Sequence, residues 1–239
     1  MKKRIDICIP ALNEADIILE TLSELDILAN EHSNFDWRFI VVDNGSTDNT
    51  ANIVSGVNNS RYSVIKLSER GKGLAVREAA LVSEADFFGY IDADLSAPPS
   101  YLINLVNEVK AGASIALGSR LINSSEVKRS AWRTVTSKLF NAYASLMVPV
   151  PVSDTQCGLK IMDKQGKLVL TECVENGWFF DRELIGKAAK GNLKISEIPI
   201  KWQEFYYPGR KSKLNLFIGG LSSLITLYKI RASVKNYKQ

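Results

Sequence analysis

Asp92-Ala93-Asp94 follows the apolar run Phe87–Ile91. In an extended chain, residues i and i+2 point to the same side. Two carboxylates so placed hold a hard divalent cation, Mg2+ or Mn2+, through oxygen. The use that fits is to clamp a nucleotide diphosphate and neutralise the charge that grows on it as it leaves. Asp43, at the end of the apolar run Phe39–Val42, is placed to accept hydrogen bonds from a base or ribose, while Gly45 to Asp48 read as a turn followed by a helix cap. Gly71-Lys72-Gly73 is neither a dinucleotide fingerprint nor a phosphate loop of the G-x-x-x-x-G-K-[ST] type. Its lysine either reaches a phosphate or base, or is a solvated side chain at a helix start.

The elements that must position these groups alternate between strand and helix. Strands are expected at Ile5–Pro10, Phe39–Val42, Tyr62–Leu67, Phe87–Ile91 and Ser114–Leu117. Helices are expected at Ala15–Asn30, where Ile17, Ile18, Leu22, Leu25 and Leu28 recur at helical spacing, at Asp48–Val57 with Asp48 as N-cap, and at Gly71–Ser83 and Pro99–Ala111. This order implies an α/β fold with a mostly parallel sheet and helices on both faces. Such sheets bind ligands beyond the carboxyl ends of their strands. Asn13 and Glu14, Asp43, and Asp92 and Asp94 all fall at those ends.

Composition sets the outer bounds. The 239 residues are 46% hydrophobic and 23% charged, which excludes disordered and fibrous classes. Three scattered cysteines (Cys8, Cys157, Cys173) argue against a disulfide framework and for a reducing, cytoplasmic compartment. A single histidine, His32, excludes a His-rich zinc site. The basic start leads into an apolar run too short and polar for a signal peptide, and no stretch approaches the ~20 apolar residues that span a bilayer. From Lys201 onward eight basic residues face Glu204 alone, against 22 basic and 25 acidic residues before it. A basic tail on a slightly acidic body suggests an anionic partner surface. In the tail Leu214, Phe217, Ile218, Leu221, Leu224, Ile225 and Tyr228 recur at helical spacing, flanked by Arg210-Lys211-Ser212-Lys213 and by Lys229 and Arg231. That helix either lies in the interface of an anionic membrane or docks its apolar face on the protein's own core or on another copy. The basic residues are interleaved with aliphatic ones and carry no recognition motif, so nucleic acid is not expected as a partner.

Taken in order, Pro10-Ala11-Leu12-Asn13-Glu14, Val42 to Asp48, Gly71-Lys72-Gly73, Asp92-Ala93-Asp94-Leu95-Ser96 and Leu117-Gly118-Ser119-Arg120 resemble the GT-A glycosyltransferase family 2. Asp154-Thr155-Gln156-Cys157-Gly158-Leu159-Lys160, Trp178-Phe179-Phe180-Asp181-Arg182-Glu183-Leu184 and Glu197 to Trp202 resemble its polyprenyl- (dolichyl-) phosphate hexosyltransferase branch. The resemblance runs from about Ile5 to Leu216, and the Asp154–Lys160 segment is nearest the dolichyl-phosphate glucosyltransferases.

The resemblance implies a GT-A domain over residues 1–210, with a nucleotide-binding half to 120 and an acceptor half from 121, followed by a tail over 211–239. It implies that Pro10, Ala11, Asn13, Glu14, Asp43 and Lys72 hold the nucleotide of a sugar donor, with Asp92, Ala93 and Asp94 at the diphosphate and Asp92 and Asp94 on the metal. Dolichyl-phosphate mannosyltransferases often carry Gln two residues after the second Asp as a further metal ligand; here Ser96 stands there. Arg120 and Arg133-Thr134-Val135-Thr136-Ser137 match residues that grip the acceptor phosphate. The segment Ala131–Met147, apolar along Val135, Leu139, Ala142 and Leu146, is placed to line an acceptor groove. Asp181 either caps the helix Asp181–Lys190 or contacts the donor sugar. The implied activity is inverting transfer of a hexose from a nucleotide sugar, UDP-glucose before GDP-mannose, to a polyprenyl phosphate, with Mg2+ or Mn2+. The expected location is peripheral on the inner face of the membrane, with homo-oligomerisation open. A family 2 enzyme with a saccharide acceptor is the rival reading. The Gln-x-x-Arg-Trp signature of processive synthases is absent.

Overall fold

A computed structural model describes residues 2–128, 142–203 and 220–238. Every strand and helix expected in the first 120 residues is present. The strands are β1 (Arg4–Ala11), β2 (Asp36–Asn44), β3 (Tyr62–Leu67), β4 (Phe87–Ile91) and β5 (Ile115–Ser119). The helices are α1 (Ile18–Glu31), α2 (Thr50–Ser55), α3 (Lys72–Val82) and α4 (Tyr101–Lys110). Beyond these lie β6 (Glu126–Lys128), β7 (Leu159–Met162), α5 (Lys164–Thr171), α6 (Phe180–Lys190), β8 (Ile195–Pro199), β9 (Lys201–Gln203) and α7 (Gly220–Asn236).

Seven strands form one sheet in the order β3-β2-β1-β4-β7-β5-β8, and β6 pairs with β9 in a second ribbon. β7 runs antiparallel between β4 and β5; the other neighbours in the large sheet are parallel. The near-continuous apolar strands are explained by two buried faces. One core packs α1 and α4 against Ile5, Ile7, Ile9, Phe39 and Val41, and the other packs α3 and α6 against Cys8, Val42, Phe88 and Tyr90.

Two local expectations are corrected. Asp48 is not the N-cap of α2: that position is Asn49, and the helix is limited to Thr50–Ser55. The Asp48 carboxylate instead takes both the N–H (3.0 Å) and the hydroxyl (2.5 Å) of Thr50 and the N–H of Ala15 (3.0 Å), tying α2 to the loop after β1. Asp92-Ala93-Asp94 is not extended. The chain turns directly after β4, with Leu95 N–H donating to Asp92 C=O (3.1 Å) and Leu95 in the left-handed region at φ +47°. A branched side chain held there is strained by about 1 kcal/mol or more, and such strain gathers at functional sites.

The tail helix docks on the protein, through a different face from the one its spacing suggests. Leu227 and Ile230 are buried, Val234 packs toward Gly186 of α6, and Ser233 donates to Glu183 (2.6 Å). Leu224, Ile225 and Tyr228, assigned to the apolar face, are exposed. Leu214, Phe217, Ile218 and Arg210 to Lys213 lie outside the described residues, and so does most of 131–147, including Arg133. Of that segment, Ala144 is buried and Leu146 exposed. Among the described residues, no helix is long and apolar enough to cross a membrane.

Candidate active site

Three loops at the carboxyl ends of β1, β2 and β4 meet at one rim. Asn13 sits in the left-handed region at φ +52°, a conformation asparagine tolerates, and so presents its amide to the loop after β2. Its N–H donates to Ser46 Oγ (2.9 Å) and its Oδ1 accepts from Thr47 N–H (2.7 Å), while Glu14 N–H donates to Thr50 Oγ1 (2.9 Å). Asp43 is buried and accepts from Ser46 N–H (3.1 Å), closing the turn in which Gly45 takes φ +73°. Pro10 and Ala11 end β1 beside Val42 and Asp43. Asn44 Oδ1 accepts Gly71 N–H (2.8 Å), which brings the start of α3 to the same rim.

Lys72 is the pivot. It is only 7% exposed, and its Nζ lies 2.5 Å from Asp92 Oδ1. Burial alone would depress this ammonium; Asp92, Asp181 and Asp94 outweigh it and hold its pKa above the ordinary lysine value. The solvated-lysine alternative is thereby overturned. The first amides of α3 are also spoken for: Gly73 N–H donates to Gly177 C=O (3.2 Å) and Leu74 N–H to Asn176 C=O (3.1 Å). Gly71 and Gly73 are glycine because a Cβ at either would lie 2.3 Å from Asn176 O or 2.4 Å from Glu175 O. The ring of Trp178, next along that loop, stands over Lys72 at 5.1 Å.

Asp94 accepts Ser96 N–H at 3.1 Å, so Ser96 orients a carboxylate through its backbone. Asp92 is 39% exposed. It leans on Gly158, whose carbonyl accepts Asp92 N–H (3.1 Å) and whose missing side chain makes room for the carboxylate. Among the described residues no three His, Cys, Asp or Glu side chains converge. What the turn offers a cation is a pair of hard carboxylate oxygen donors, a set suited to Mg2+ or Mn2+.

Behind this turn lies a buried polar cluster whose extent the sequence did not disclose. Lys160, fully buried in β7, donates to Thr155 C=O (2.9 Å), Cys157 C=O (2.7 Å) and Asp181 Oδ1 (2.6 Å). Tyr90 of β4 hydrogen-bonds the same Asp181 oxygen. Burial first, and then Asp181, push the phenol well above its usual pKa, so Tyr90 remains the donor. Asp181 is 1% exposed and sits in the first turn of α6; Phe179 is the cap position and no side chain caps the helix. The capping alternative for Asp181 is therefore wrong: its carboxylate turns inward to Lys160 and Tyr90. A lysine inside the apolar run Leu159-Lys160-Ile161-Met162 was the available signal.

Arg120 is engaged within the protein. Its Nε and Nη2 fork onto Asp154 (2.7 and 2.8 Å), its N–H donates to the same carboxylate (3.0 Å), and its guanidinium lies over Trp202 at 5.6 Å. Burial would raise Asp154, but Arg120 outweighs it and holds the carboxyl below the usual range. Glu197 of β8 accepts the N–H groups of Ser153 and Asp154 (both 2.9 Å). The loop from Asp154 to Gly158 is thus fixed at one end by Arg120 and Glu197 and at the other by Lys160. A small cleft beside Asp92 is lined by Ser96, Cys157, Gly158 and Trp202. A larger surface cleft near Phe35, Trp37 and Arg61 opens at the amino-terminal ends of β1, β2 and β3, away from this chemistry.

A mostly parallel sheet with carboxylates gathered past its strand ends is the architecture of the GT-A glycosyltransferases. Glucosyl-3-phosphoglycerate synthase from Mycobacterium tuberculosis, solved in complex with Mn2+ and UDP-glucose, superposes with a TM-score of 0.69 at 17% identity, over 98% of this chain and 79% of that one. The glycosyl transferase family 2 model matches residues 6–184, and the chain belongs to that family. Dolichyl-phosphate beta-glucosyltransferase from Saccharomyces cerevisiae is 30% identical over 84% of this chain and 67% of its own length. The enzyme of the same name from Dictyostelium discoideum is 30% identical over 95% of this chain and 73% of its own.

Proposed function

We propose that the protein transfers a hexose, glucose in preference to mannose, from a nucleoside-diphosphate sugar to a polyprenyl monophosphate, with inversion at the anomeric carbon. The observation that carries this reading is the Lys72–Asp92 pair, 2.5 Å apart at the sheet rim where the loops bearing Asp43 and Asp94 meet. A cation beside two carboxylates suits a sugar diphosphate. The similarity to two dolichyl-phosphate beta-glucosyltransferases supports the acceptor class and the sugar.

The acceptor phosphate has a second pKa near ~6 and is a charged nucleophile at neutral pH. One of its oxygens bonds the anomeric carbon as the bond from that carbon to the diphosphate oxygen breaks. The nucleoside diphosphate leaves with the electron pair, and no side chain has to accept a proton. His32, the only histidine, lies just past α1, consistent with such a step. Asn13, Glu14 and Asp43 would hold the nucleoside, and Lys72 the diphosphate. Asp92 and Asp94 would hold Mg2+ or Mn2+, which when bound offsets charge on the departing diphosphate. Arg120, locked to Asp154, would act through the shape of the loop it anchors and through Trp202.

Peripheral attachment to an anionic, cytoplasmic membrane face is part of the reading. It is supported by exposed Leu224, Ile225 and Tyr228 beside exposed Lys229 and Arg231 on α7. The test is incubation of the protein with Mn2+, undecaprenyl phosphate and a panel of UDP- and GDP-hexoses. A labelled hexosyl lipid, strongest with UDP-glucose, is expected; no labelled lipid with any donor would overturn the acceptor assignment.

A further inference from the structure

We infer that Trp178 seats the donor hexose and sets the preference for its ring. This rests on the hexosyl-transfer reading above. Trp178 is 44% exposed, whereas Trp37 is buried. An exposed tryptophan on a loose loop would be unremarkable, but this loop is clamped from three sides. Glu183, fully buried, accepts the N–H groups of Val174 (3.0 Å) and Glu175 (2.8 Å) on one oxygen. Arg77 donates to Cys173 C=O (2.9 Å) and Asn176 Oδ1 (2.5 Å). The opening amides of α3 hold Asn176 and Gly177, and the bare Cα atoms of Gly71 and Gly73 let the carbonyls of Asn176 and Glu175 approach.

The clamps place the indole 5.1 Å from Lys72 Nζ, itself 2.5 Å from Asp92. In a nucleoside-diphosphate sugar the hexose is joined directly to the terminal phosphate. A diphosphate held at Lys72 therefore puts the sugar ring beside Trp178. Lys72 covers part of the indole, and the exposed remainder offers a rigid apolar plane. A pyranose with equatorial hydroxyls presents a matching face of C–H groups, and a pre-organised aromatic surface gains contact area at little entropic cost.

The experiment compares UDP with UDP-glucose, in Mn2+, by isothermal titration calorimetry on wild type, Trp178→Ala and Trp178→Phe, with thermal melting to verify folding. Trp178→Ala is expected to weaken UDP-glucose by about three- to tenfold relative to UDP, the range given by loss of one aromatic stack. Trp178→Phe should recover most of that loss, and UDP itself should bind all three proteins alike. Equal weakening of both ligands would make Trp178 a partner of Lys72 alone and overturn the inference. No weakening of either would also overturn it, with the transfer reading intact. Wild-type protein that binds neither ligand would overturn both.

Discussion

Replacing Gly158 with alanine inserts a methyl group 1.8 Å from Asp92 Oδ2 and 2.2 Å from its Cγ. Ordinary contact requires roughly 3.5 Å, so the carboxylate must retreat by roughly 1.5 Å. The backbone at Gly158 does not lie in the left-handed region, so alanine itself fits the chain. The cost therefore falls on Asp92 and on its 2.5 Å contact with Lys72. Because Asp92 is 39% exposed, solvent takes up much of the broken pair, and the stability loss should stay near 1–2 kcal/mol. Misplacing a catalytic group by an ångström costs about 100-fold in rate. The assay is transfer of labelled glucose from UDP-glucose to undecaprenyl phosphate, beside a thermal melt. A kcat about 100-fold lower in a protein that melts within a few degrees of wild type is expected. Near-normal turnover by Gly158→Ala would refute the claim that Asp92 works from this position.

Lys160→Met strands Asp181 in the interior and should cost about 3–5 kcal/mol in denaturant unfolding, with Lys160→Met/Asp181→Leu recovering part of it; equal losses would deny the pairing. Asp154 and Glu183 are both held below the usual carboxylate range, because Arg120 outweighs burial at the first and Lys187, Ser233 and backbone amides outweigh it at the second. A depressed folded pKa contributes stability that is present above the unfolded value and lost as pH falls through the folded one. Stability should thus decline below about pH 4.5, more shallowly in Asp154→Asn, as followed by circular dichroism. Burial, with Asp154 adding to it, pushes the Cys157 thiol up to about 12. Native protein at pH 8 should accordingly resist iodoacetamide at Cys157 until unfolded, and rapid labelling read by mass spectrometry would mean the loop opens.

The first half of the fold was legible because β1, β2, β4 and β5 are largely apolar runs buried on both faces and α1 and α4 carry clear apolar stripes. β7 was not, since a strand containing a fully buried lysine breaks the apolar pattern. Its antiparallel insertion between β4 and β5 depends on pairing that local sequence does not encode. The rim acids and Lys72 were readable from type and position. Their geometry was not: the Asp92–Asp94 segment turns instead of extending, with Leu95 at positive φ. Asp181 was readable as a site residue, but capping and sugar contact stood level in the sequence, because its partners Lys160 and Tyr90 are 21 and 91 residues distant. The face by which the tail docks was not legible: Leu227 and Ile230 are covered while Leu224, Ile225 and Tyr228 stay exposed, and Gly186 of α6 leaves space for Val234.

If Lys72, Asp92 and Asp94 act together on one diphosphate, UDP binding depends on all three. Calorimetry of UDP with wild type, Lys72→Ala and Asp94→Asn, in Mn2+ and with chelator controls, measures this. Metal-dependent binding by wild type is expected, weakened at least tenfold in each variant while the fold persists. UDP binding of wild-type strength in both variants would contradict that joint action.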